Sequence, residues 1–180
     1  MKFDLKNHNV AKIIMVVLIV VGAIMGNGNS LNREKNKVED YFFYGDEGIC
    51  IANDLNDMAS EVDNMVVIAN KYDIDRKLID KTSKNTSELR NATSIDKKFD
   101  LKEEMVANMN ELYYALLEED LSENHQKLVK GAYVDFNSSA NIITHDSYNE
   151  MATKYNSLLD SFPSSILRII HRAKEVALFQ

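Results

Sequence analysis

The chain has 180 residues, 45% of them hydrophobic, with a formal charge of −7, six glycines and one proline. That length is enough for one buried core, and so little glycine and proline argues against a loop-rich or all-β fold. The acidic balance, with no basic stripe to neutralise phosphates, excludes a general nucleic-acid-binding role, and the single Cys50 excludes an intramolecular disulfide.

Residues 1–12 form a short basic segment carrying Lys2, Lys6 and Lys12, and Ile13 to Met25 is an uninterrupted apolar run. A spanning helix wants about 20 residues, with a lower limit near 17. Residues 10–26 reach that limit if Lys12 snorkels to the interface, so they are expected to form a single-pass membrane anchor. The competing reading is a cleaved leader with a short apolar core and Gly26-Asn27-Gly28 at the cut. Arg33, Lys35 and Lys37 balance the lysines before the run, which leaves the side of the membrane open.

Residues 31–72 read as one long helix, with Ile51, Leu55, Met58, Val62, Met65, Ala69 and Tyr72 recurring every three or four positions. Gly45 and Gly48 are its weak points. Tyr41-Phe42-Phe43-Tyr44 reads as aromatic core packing, with an interfacial belt as the alternative. Ile74, Leu78, Ile79 and Leu89 carry a weaker stripe. Lys81 to Asp100 is the least ordered interior stretch, and its two sequons at Asn85 and Asn91 read as solvated surface. Asp100-x-x-Glu103 is expected to cap a helix bearing Met105, Met109, Leu112 and Leu116, with a turn near Asp120 to Glu123.

A third helix then runs from about Ser122 through Leu128, Val129, Ala132, Phe136 and Ile142 into the sequence Tyr148-Asn149-Glu150-Met151-Ala152-Thr153-Lys154-Tyr155-Asn156. Tyr148, Tyr155 and Phe162 fall seven apart, with Met151/Ala152 and Leu158/Leu159 between them, which places three rings on one stripe. Pro163 should stop that helix at Phe162. A short fourth helix with Ile166, Leu167, Ile169, Ile170, Ala173, Val176 and Ala177 follows, and the apolar tip Leu178-Phe179-Gln180 is expected to dock back on the bundle.

The Tyr-Asn, Tyr-Asn, Phe-Pro series resembles the C-terminal signature of the LemA family, bacterial membrane-anchored helical-bundle proteins. Asn64-Met65-Val66 with Tyr72 is similar to that family's Asn-Leu-Val-x-x-x-x-x-Tyr segment, and the apolar N-terminus followed by Asn36-Lys37-Val38-Glu39 agrees in order. The chain departs from the family at Asp57, Met58 and Asp63, and again at Ser138-Ser139-Ala140 and His145. The resemblance implies an all-α fold: a transmembrane helix, then an antiparallel bundle of about four helices over residues 30–180.

No chemical constellation accompanies this pattern. None of His8, His125, His145 or His171 follows a glutamate at the spacing a di-iron bundle needs. Cys50 reads as a structural, half-buried thiol, and there is no phosphate loop, zinc spacing or nucleophile elbow. The expectation is therefore a non-enzymatic protein without cofactor or metal, acting as a scaffold or interaction module at the cell membrane through protein partners, with self-association open. Tyr148, Asn149, Tyr155, Asn156, Phe162 and Pro163 form its candidate interaction or register tier. The alternatives are an extracytoplasmic bundle that binds a small ligand near His145 and that tier, and a secreted bundle with its leader removed.

Overall fold

The protein is described by a computed structural model that covers residues 8–45, 48–162 and 164–180. Among the described residues there are seven α-helices and no other extended element: α1 (His8–Tyr44), α2 (Ile51–Ala69), α3 (Arg76–Asn91), α4 (Ile95–Leu117), α5 (Glu123–Thr144), α6 (Tyr148–Asp160) and α7 (Ser164–His171). The basic residues Lys2 and Lys6, and the proposed helix stop Pro163, lie outside the described residues. The chain divides into two compact units, Met1–Glu39 with Met151–Val176, and Asp40–Glu150 with Ala177–Gln180.

The second unit is a four-helix bundle. Each of α2, α3, α4 and α5 packs on its neighbour in the chain, α5 closes the ring on α2, and α2 also meets α4. Connections of a few residues make sequential helices antiparallel. Leu55, Met58, Val62 and Met65 of α2, Met105, Met109, Leu112 and Leu116 of α4, and Val129 and Phe136 of α5 are wholly buried. Four of these are methionines, whose flexible thioethers fill irregular gaps between helices.

The helix starts are chemically marked. The Asp75 side chain accepts from Lys77 N at 2.9 Å, Ser94 from Lys97 N at 3.4 Å, and Ser122 from His125 N at 3.3 Å, each satisfying one of the amides a helix N-terminus leaves open.

Four expectations are corrected here. The single helix over 31–72 is broken: α1 ends at Tyr44 and α2 starts at Ile51. Gly45 adopts φ +56° with its N–H on Tyr41 O, and Gly48 adopts φ +85°, the left-handed geometry that ends helices. Lys81 to Asp100 is ordered, as most of α3 and the start of α4; its buried positions combine Leu89 and Ile95 with polar residues, of which Asn85, Thr86 and Lys98 find hydrogen-bond partners. Asn85, in the first sequon, is 4% exposed and donates to Leu101 O at 3.1 Å, while Lys98 is 6% exposed and donates to Leu89 O at 2.9 Å. Asp100 lies inside α4, and Ser94 supplies its cap. The third helix is likewise two: α5 ends at Thr144, and Asp146 accepts from Tyr148 N at 2.7 Å to open α6. The turn at Asp120 to Glu123 stands where it was expected.

The first unit contains most of α1 and α6 together with α7. Leu31, Val38, Ala152, Tyr155, Leu159, Leu167 and Val176 are its buried apolar residues. Arg168 bridges Asp160 at 2.6 Å and Glu175 at 2.7 Å. Among the described residues no helix is long and apolar enough to cross a membrane, so the span expected over residues 10–26 lacks support from helix length. The run ending at Met25 is short of about 20 residues, and α1 continues past it into polar sequence without a break.

Candidate functional site

Helix α6 carries the Tyr-Asn repeat, and both asparagines do the same thing. In the second unit, Asn149 Nδ2 donates to Phe179 O at 2.9 Å while its Oδ1 accepts from Phe179 N at 2.7 Å. In the first unit, Asn156 Nδ2 donates to Val176 O at 2.9 Å and its Oδ1 accepts from Val176 N at 2.8 Å. A carboxamide has the donor–acceptor pair of a peptide group. Each asparagine therefore offers the chain one residue of strand edge from the side of a helix. The two-way pairing also fixes the amide orientation, since the flipped form would oppose like groups.

The tyrosines support these clamps. Tyr148 is fully buried, and its hydroxyl donates to Ala177 O at 2.6 Å. Its ring stands edge-on to Phe42, with centroids 5.2 Å apart. The Phe179 ring meets Phe42 at 5.3 Å and Phe99 at 5.4 Å. Phe42 is the fully buried member of the Tyr41–Tyr44 cluster, whose last residue is exposed. Tyr155 is 4% exposed in the first unit, and its hydroxyl finds no hydrogen-bond partner among the described residues. Burial pushes that phenol up from its ordinary range, the Glu39 charge adds to the rise, and Arg168 opposes it.

Phe162 does not join the tier. It is 83% exposed, because α6 ends at Asp160 and the third heptad position falls beyond the helix. The asparagines do not bond across the bundle, as a register function would have them do. Val176 and Ala177, expected in the fourth helix, lie beyond it, since α7 ends at His171, and at Val176 and Phe179 what the asparagines recognise is backbone. The expected docking of residues 178–180 is present, with Phe179 5% exposed.

The histidines lie elsewhere. Tyr72 Oη and His125 Nδ1 are 2.6 Å apart, and Ser122 N donates to the same hydroxyl at 3.3 Å. His125 also lines a groove of about 410 Å³ between α2 and α5, together with Val67, Ile68 and Ala132. His145 Nδ1 contacts Asn141 O at 2.9 Å beside a separate groove that Tyr148 and Asn149 do not line. His145 and the Tyr-Asn tier therefore do not converge on one pocket. Cys50 is fully buried, not half-buried, and its thiol donates to Phe43 O at 3.3 Å. Burial raises the Asp54 carboxyl above its usual range, and the neighbouring charges of Asp57 and Asp146 add to the shift. Among the described residues no three His, Cys, Asp or Glu side chains come together as a metal site. No family model, curated protein or solved structure matches the chain.

Proposed function

We propose that the chain is a non-catalytic, LemA-like helical-bundle protein of a bacterial cell membrane, anchored through the apolar run of α1 and acting as an interaction module for protein partners. The observation that carries this reading is exposure. Ile13, Met15, Val16, Val17, Leu18 and Ile19 are each more than half exposed along α1. A helix that is apolar all round belongs in a core or in lipid, and contiguous exposed apolar surface marks a membrane or protein contact. In the same unit, Ile166, Ile169 and Ile170 of α7 are also exposed, with Arg168 and His171 in its last turn. An apolar face flanked by cations suits the membrane interface. A spanning form of the anchor uses residues 10–26 with Lys12 at the headgroups.

The test is fractionation of cells expressing the full chain. Recovery in the membrane pellet at full mass, resistant to alkaline carbonate, is expected. Release by Val16→Arg with Ile19→Arg is expected as well. Recovery in the soluble fraction at full mass, or at a mass lacking residues 1–26, refutes the anchor. Labelling of Ser30→Cys in a Cys50→Ser background with an impermeant maleimide then reads which side the bundle occupies. A second reading, a bundle that takes a small ligand, draws on the groove between α2 and α5 that His125, paired with Tyr72, helps to line.

A further inference from the structure

We propose that the face of α6 around Asn149 is a binding site for an extended peptide with an aromatic side chain, and that residues 177–180 of this chain occupy it in cis as a resident stand-in. The proposal rests on the reading that the chain works through protein contacts, and it names the chemistry of the contact.

Three observations within the second unit define the site. Asn149 pairs with both backbone groups of Phe179, and Tyr148 donates to Ala177 O. The Phe179 ring meets Phe42 in a tilted contact at 5.3 Å and Phe99 edge-on at 5.4 Å. A cavity of about 240 Å³, walled by Phe99, Lys102 and Asn149, stays open beside that ring, so the resident does not fill the space offered. Simple apolar packing of a chain segment needs no reciprocal amide pairing. Main-chain pairing with a pocket for one side chain is how folds recognise strands supplied by other molecules.

In the first unit, Asn156 and Val176 repeat the device. Pairing with both backbone groups of one residue is what a strand edge does, so the site at Asn149 reads an extended backbone. It is indifferent to side chains except at the aromatic position, as a site for a class of peptides should be. A tethered resident competes at millimolar effective concentration, so access for a partner requires its release.

The experiment uses a dye-labelled peptide of the sequence Glu-Val-Ala-Leu-Phe-Gln, titrated into purified chain and read by fluorescence anisotropy. Phe179→Asp in the full chain places a charge between Phe42 and Phe99 and empties the site. The expected result is saturable binding to this variant, at least tenfold tighter than to the unaltered chain. Binding should be lost when Asn149→Leu is added, or when the phenylalanine of the probe is replaced by alanine. No binding to a Phe179→Asp chain that keeps its helicity and cooperative melt overturns the proposal. So does binding that Asn149→Leu leaves unchanged, or exchange of the segment between copies in a dimer that takes up no peptide. Should Phe179→Asp fail to fold, amide hydrogen exchange of Phe179 in the unaltered chain decides. Exchange through local opening, insensitive to low urea, supports a departing resident, and exchange only on global unfolding refutes it. The assay contains no membrane, so its outcome is separate from that of the fractionation.

Discussion

Alanine at three glycines should give three different results, and the differences follow from what each new Cβ meets. At Gly45, φ is +56° and a Cβ would overlap Ile49 O, a backbone atom that no rotamer change can move. The left-handed conformation alone costs an L-residue about 1–2 kcal/mol. Relieving the overlap displaces the link between α1 and α2, which holds the hydrogen bonds Cys50 Sγ to Phe43 O and Asn53 Nδ2 to Gly48 O. Those contribute about 0.5–1.5 kcal/mol each, so Gly45→Ala should cost about 2–5 kcal/mol. At Gly48, φ is +85° but nothing lies within 4 Å, and Gly48→Ala should cost only the strain of about 1–2 kcal/mol. Gly131 sits inside α5 with open space around it, and Gly131→Ala should stabilise by up to about 1 kcal/mol through helix propensity. Urea denaturation followed by far-UV circular dichroism, with m-values compared to confirm an unchanged transition, measures all three. A Gly45→Ala chain no less stable than Gly48→Ala would falsify the geometry of the α1–α2 link.

Asn156→Ala should cost about 1–3 kcal/mol, since it removes two hydrogen bonds and leaves the N–H and C=O of buried Val176 without that partner. Faster amide exchange at Val176 checks it, and unchanged protection there contradicts the clamp. Asp54→Asn tests the raised carboxyl. Between the ordinary value of 3.8 and its raised folded value, the folded state holds a proton that the unfolded state has lost. Stability therefore falls as pH rises through that window, and the full penalty persists at neutral pH. Asp54→Asn should remove it, raising stability modestly at pH 7 because the group is partly solvated, with no gain below pH 3.8. A gain that persists in acid would attribute the effect to something other than charge.

The helices that read clearly in sequence are those whose cores are aliphatic. Leu55, Met58, Val62 and Met65, or Met105, Met109, Leu112 and Leu116, are buried at the spacing that announces them. Helix α3 was obscured because Thr82, Asn85 and Thr86 occupy its inner face beside Leu78, Ile79 and Leu89, and the hydrogen bonds of Asn85 and Thr86 make their burial tolerable without any hydropathy signal. The breaks at Gly45 and Asp146 were hidden for a different reason. Apolar residues stand on both sides of each, while one left-handed glycine and one side-chain cap reset the backbone. At the Tyr-Asn tier the residues were legible and their partners were not. A carboxamide bonding to main chain leaves no complementary pattern in the recipient, and only the apolar tip Leu178-Phe179-Gln180 showed that the segment would dock. The exposure of Phe162 turned on where α6 stops, which a seven-residue spacing cannot locate.

The aromatic cluster of Phe42, Phe99, Tyr148 and Phe179 draws its members from almost the whole length of the chain. At usual ribosomal speeds, roughly ten to thirty seconds separate the synthesis of its first ring from that of its last. The α2–α5 bundle needs nothing beyond Thr144 for its helix-to-helix contacts and can form in that interval. Phe42 and Phe99 meanwhile wait without their final neighbour. A nascent chain of this protein thus presents an unfilled aromatic cleft once Phe99 has emerged, and the emergence of residue 179 from the ribosome is the event that closes it.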